Sequence, residues 1–98
     1  MIVGRSPQPE TVKEIYDTAK SVRGVQEVLD LRAMSIGSGK VLAILEVHFK
    51  DDYSTDDIER VTDRIKDKVL ENVELVSHVQ VEAETPDEEL KGRRRSKH

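Results

Sequence analysis

Ninety-eight residues suffice for one small domain and leave no room for a second. Apolar residues make up 36% of the chain and charged ones 37%, so the core must be lean; even so, 13 Val, 7 Leu and 6 Ile at periodic positions argue for folding over disorder. The absence of cysteine excludes a disulfide scaffold, a thiolate zinc site and a cysteine nucleophile, and the net charge of −4 conceals 11 basic against 20 acidic residues over 1–90 (−9) beside five basic residues and no acid over 91–98.

Taken in chain order, Gly4-Arg5-Ser6-Pro7-Gln8-Pro9 reads as an entry linker over residues 1–9, since two prolines forbid regular pairing there. The fold proper is expected from about Glu10. Val12, Ile15, Tyr16, Ala19 and Val22 then recur at helical spacing until Gly24 stops the run, which predicts an amphipathic helix. Gly24 to Gly37 reads as a strand of ambiguous facing, with Leu29, Leu31 and Ala33 on one parity and Val28, Met34 and Ile36 on the other, as a bulge would produce. Gly37-Ser38-Gly39 is a hairpin turn. Beyond it Val41, Ala43, Leu45, Val47 and Phe49 alternate along the clearest strand of the chain.

Ser54 with Asp57 three residues on resembles a capping pair, and Ile58, Val61, Ile65 and Val69 keep the helical period to about Leu70. Leu75 to Ala83 is the last strand, with Val79, Val81 and Ala83 on one face. A strand, a helix and a strand joined closely predict a right-handed crossover, with the second and third strands parallel. Pro86 ends the fold, and residues 87–98 are expected to be a disordered basic tail, weighed against attraction of Lys91-Gly92-Arg93-Arg94-Arg95-Ser96-Lys97 to anionic lipid.

The predicted class is therefore α+β: an αββαβ domain over residues 10–86, a three-stranded mixed sheet with both helices on one face. The second face is left open. Alternation places Leu42, Ile44, Glu46 and His48, then His78, Gln80, Glu82 and Glu84, on that face. These side chains read either as half-covered packing beside solvated charge, or as a dimer face, with Leu42 and Ile44 at its apolar part, adjoining a cation site. Glu46 with Glu82 and Glu84 forms the acidic part, and His48 and His78 stand on the same predicted face. Clustered carboxylates raise one another's pKa, and a divalent cation between them would relieve that cost.

Other classes fit less well. An acidic body with 3% aromatics repels phosphates and lacks stacking platforms, so nucleic-acid binding by the folded part is not expected. There is no serine with a base, no phosphate-cradling glycine loop before a helix and no carboxylate pair in an evident apolar pocket, so the chain does not read as an enzyme. The longest apolar run, Val41 to Leu45, is far too short to span a membrane, and no leader opens the chain; a cytosolic setting is the default expectation.

Several segments in order resemble the C-terminal cytoplasmic domain of cation diffusion facilitators, membrane exporters of zinc, manganese, iron, cobalt or nickel. Gly4-Arg5-Ser6-Pro7 resembles the family's junction after the last membrane helix. Val12-Lys13-Glu14-Ile15 with Val22-Arg23-Gly24-Val25 resembles its first helix and exit, and Val28-Leu29-Asp30-Leu31-Arg32 its first strand. Val41 to His48 is similar to its second strand, Tyr53 to Val69 to its acid-headed helix, and Val79 to Pro86 to its closing strand. The resemblance spans residues 4–86 and implies a metallochaperone-like or ferredoxin-like domain that forms a homodimer beside the membrane domain of the same multi-pass transporter, at the cytoplasmic face of the cell membrane, and binds divalent cations on its open face. Carried over position by position, the family's ligands fall on Leu29, Glu46, Glu59, and the pair Glu82 and Glu84, so three histidine positions are carboxylates here and one is leucine. Zinc favours imidazole and thiolate, whereas harder ions such as manganese accept oxygen shells. A stand-alone metal- or ligand-sensing dimeric module with the same fold is the alternative expectation.

Overall fold

A computed structural model of the chain describes residues 7–84, so the entry residues before Pro7 and the basic tail from Asp87 lie outside the described residues. Five elements follow in the expected order: α1 (Pro9–Lys20), β1 (Val25–Ser35), β2 (Val41–Phe49), α2 (Thr55–Asn72) and β3 (Val76–Ala83). The sheet has the order β1-β2-β3. β1 pairs antiparallel with β2, and β2 pairs parallel with β3.

Helix α1 begins at Pro9, the last residue of the expected linker. Proline suits a first helical turn, because its missing N–H would find no intrahelical partner there and its ring presets φ. Thr11, Ile15 and Ala19 form its buried stripe. Helix α2 starts on a full capping box: the Asp57 amide donates to Ser54 Oγ (3.1 Å), and the Ser54 amide donates to Asp57 Oδ2 (3.0 Å). It buries Val61, Ile65 and Val69 and runs to Asn72, two residues beyond the expected end near Leu70.

The ambiguous facing of β1 has a definite cause. Two register shifts, between Val25 and Glu27 and between Val28 and Asp30, each insert one extra residue against β2. The second insertion is Leu29, which is left 42% exposed while Val28 on one side of it and Leu31 and Ala33 on the other turn toward the core. Strict two-residue parity therefore fails across this strand.

β2 alternates without a break, buried at Val41, Ala43, Leu45, Val47 and Phe49 and half-buried at the four positions between. Its buried side faces one core, in which Ile15, Leu45, Ile65, Val47, Val69 and Val73 are the largest fully enclosed side chains. β3 behaves less evenly than expected: Val79 is buried, Val81 half-buried and Ala83 exposed, since the helices reach only part of this edge strand. The hairpin turn carries positive φ at Gly37 (100°), Ser38 (54°) and Gly39 (74°), which accounts for its two glycines. Gly24 is required for a different reason. At φ +103° it lies so close to α2 that an added Cβ would come within 2.8 Å of Val61 Cγ2 and 2.9 Å of the Tyr53 ring.

Candidate functional site

Strand pairing assembles the open face. Antiparallel register sets Asp30 of β1 opposite Glu46 of β2, and parallel register sets Glu46 beside Glu82 of β3. Three acidic positions thus form one row across the sheet, about 4.8 Å apart at each step. Glu84 follows just beyond, its amide donating to the Val47 carbonyl at 2.9 Å. A hydrogen bond shared with Glu84 raises the Glu46 pKa above the usual carboxyl value of 4.5; half-burial and the negative charges of Glu84, Asp30 and Glu82 push in the same direction.

A depression of about 240 Å³ lies over this row, lined by Asp30, Arg32, Ile44, Glu46 and Glu82. Arg32 Nε donates to Asp30 Oδ2 at 3.2 Å, so one guanidinium already offsets part of the negative charge. Among the described residues, no group of three or more His, Asp or Glu side chains is gathered so as to hold a metal ion. The chain therefore presents oxygen donors along a row without enclosing a coordination shell among its described residues.

The remaining expected site residues are spread out. His48 lies half-buried at the end of β2, its Nε2 3.3 Å from Asp51 Oδ1. His78 pairs with Leu42, near the start of β2. Six residues of strand separate the two histidines, about 20 Å at the usual rise, so they do not meet within one chain. Glu59 is exposed on α2, in the helix layer across the sheet from Glu46. Leu42 and Ile44 are half-buried on the open face, opposite Met34 and Arg32 of β1 respectively. Met34 is 40% exposed and extends their apolar patch.

Sequence reasoning missed Asp30 and Arg32. A usable signal was present: the hairpin register runs unbroken from Ser35 and Val41 at the turn back to Asp30 and Glu46, so even counting from Gly37-Ser38-Gly39 brings the two acids face to face. Parity along β1 alone obscured it, because the bulge at Leu29 intervenes.

No protein with a curated description matches this sequence. Among solved structures, a nickel form of a MamM CTD variant matches with a TM-score of 0.75 and 19% identity, covering 82% of this chain and 100% of that one. A cadmium form of another MamM CTD variant matches with a TM-score of 0.75 and 19% identity, over 81% and 98% of the two chains. A further MamM CTD structure gives 0.74 and 19%, over 79% and 96%. At these identities the likeness establishes the fold, a ferredoxin-like αββαβ domain. The family described as "Cation efflux protein, cytoplasmic domain" (ZT_dimer) matches residues 7–86, which take in all five elements. The chain therefore belongs to the cytoplasmic-domain family of cation efflux proteins, the cation diffusion facilitators.

Proposed function

We propose that this chain is the regulatory and dimerisation domain of a divalent-metal efflux transporter, acting at the cytoplasmic face of the membrane that holds the rest of that protein. Among the described residues no helix is long and apolar enough to cross a membrane. In this reading metal-for-proton exchange belongs to membrane helices of the same transporter, and the domain pairs two subunits and responds to the ion.

One observation carries the proposal: the row Asp30, Glu46 and Glu82 with Glu84, whose central carboxyl is held above its usual pKa by its neighbours. Such a row is electrostatically unfavourable in the empty domain, and a dication relieves it. Leu42, Ile44 and Met34 beside it supply half-exposed apolar surface for a second copy. A pair of open faces brought together doubles the number of carboxylates around a shared ion. His48 and His78 add imidazole at the two ends of the face, and Glu59 contributes only where a partner approaches the helix side. Oxygen donors at the centre favour manganese over zinc, with iron, cobalt and nickel between them in ligand preference. The nickel and cadmium forms of the MamM CTD variants are in keeping with a divalent cation.

Calorimetric titration of the domain with manganese and with zinc, run beside light scattering, tests this reading. The expected result is a dimer that takes up manganese saturably and loses that heat in Glu46→Ala and Glu82→Ala. Heat unchanged in both variants sinks the site, and a stable dimer that takes up neither ion reduces the role to holding subunits together.

A further inference from the structure

The helix side of the molecule carries a second concavity, of opposite charge. It measures about 280 Å³ and lies between the α1–β1 turn and the first half of α2, lined by Arg23, Tyr53, Asp57, Arg60, Val61 and Arg64. Residues 7–84 contain four arginines, and three of them line this one pocket. The fourth, Arg32, sits on the acidic sheet face.

In a body with a net charge of −9 over residues 1–90, this clustering needs a physical account. Arg60 and Arg64 are four apart on one helix, a like-charge spacing that weakens a helix slightly. Arg23 reaches the same pocket from a separate element, brought there by the contact of Gly24 with Val61 and Tyr53. The pocket's one carboxylate, Asp57, is already engaged: it accepts from the Ser54 amide and from Arg60 Nη2 at 3.3 Å. Those bonds hold Asp57 below the usual carboxylate pKa, so it stays ionised and leaves the pocket with an excess of two positive charges.

Guanidinium groups are planar forks that bond phosphate oxygens in pairs, and Tyr53 adds a phenolic hydroxyl. We infer that this pocket binds a small phosphate-bearing anion from solution, at a site separate from the carboxylate row. The surrounding acidic body repels phosphate at long range, and only convergence of three arginines overcomes that repulsion locally. Phosphate carried on a lipid headgroup is the competing source. Membrane contact calls for exposed apolar side chains beside the basic ones, and the large exposed ones of the described residues, Leu29, Met34, Ile36, Leu70 and Leu75, all lie outside this lining.

Titration calorimetry of the full chain with sodium pyrophosphate in metal-free buffer tests the inference. The expected result is one saturable site that weakens with added salt and loses about tenfold or more in affinity in both Arg23→Gln and Arg64→Gln. Arg32→Gln, on the other face, retains wild-type affinity. Circular dichroism melting of each variant confirms that these exposed substitutions leave the fold intact. Absence of saturable binding overturns the inference, as does an equal loss in Arg32→Gln, which would mean attraction without a site. Vesicles containing phosphatidic acid form a parallel arm: vesicle binding without pyrophosphate binding overturns the soluble ligand in favour of a headgroup. Manganese heats unchanged in Arg23→Gln and Arg64→Gln keep the outcome independent of the carboxylate row.

Discussion

The two faces of β2 share one backbone and one set of ladder bonds, yet they do different work. On one face Val41, Ala43, Leu45, Val47 and Phe49 are buried against α1 and α2; on the other Leu42, Ile44, Glu46 and His48 remain half-buried, with no element of the described residues over them. The first face is satisfied within the subunit. The second keeps apolar surface partly in water and sets Glu46 between Asp30 and Glu82. Stability therefore resides on one side of the sheet and unspent binding capacity on the other.

The sharpest way to test this contrast is to truncate one leucine on each face. Leu45→Ala removes a fully enclosed side chain and is expected to cost about 2–5 kcal/mol in urea unfolding. Leu42→Ala, half-buried, is expected to cost no more than about half as much in an isolated subunit. Equal losses would break the comparison, since they require something to cover the open face in solution; repeating the measurement over a range of protein concentration identifies a second copy as that cover.

Gly24→Ala comes next. At φ +103° a Cβ is strained and meets Val61 and Tyr53 below contact distance, so a loss of about 1–3 kcal/mol in thermal unfolding is expected. The same change would shift Arg23 relative to α2 and weaken pyrophosphate binding while sparing the manganese heat. Ser54→Ala removes half of the capping box and should cost about 1 kcal/mol. The Asp57 pKa is lowered, chiefly by its bonds to Ser54 and then by Arg60, so its contribution is present above the ordinary value of 3.8 and disappears as pH falls through the folded value. Asp57→Ala removes the titrating carboxylate itself, and its deficit should accordingly shrink in melts taken in strong acid.

The smallest effect has the opposite sign. The Glu46 pKa is raised, so the folded domain binds its proton more tightly than the unfolded chain does. The associated stability is fully present below the unfolded value, near 4.5, and is lost as pH rises through the folded value. Glu46→Gln should therefore melt slightly higher than wild type at neutral pH without metal, and the gap should close in acid. A variant that melts lower at neutral pH would show that Glu46 is held by favourable contacts and would undercut the reading of the row as strained.

Much of this was legible in residue order. The 3.6-residue spacing of Ile15, Ala19 and Val22 and of Val61, Ile65 and Val69, the two-residue alternation of β2, and the Ser54–Asp57 box gave the elements, because each depends on neighbours within a few positions. The parallel pairing of β2 with β3 followed from the intervening helix. Glu46, Glu82 and Glu84 were legible as one face for the same local reason.

The rest depended on contacts between distant parts of the chain. The bulge at Leu29 shifts the parity of β1, so the arrival of Asp30 and Arg32 beside Glu46 is set by pairing with β2 rather than by the β1 segment itself. Register along the strands likewise put His48 and His78 at opposite ends of one face, although alternation alone made them look like companions. The arginine pocket is the extreme case: Arg23 and Arg64 lie 41 positions apart and line one cavity only because Gly24 lets the α1–β1 turn approach α2 more closely than any side chain would permit. Sequence by itself determined which elements form and which of their faces are apolar, since those depend on local periodicity. Tertiary structure alone decided which charges share a site, since that depends on register and on the closeness of packed elements.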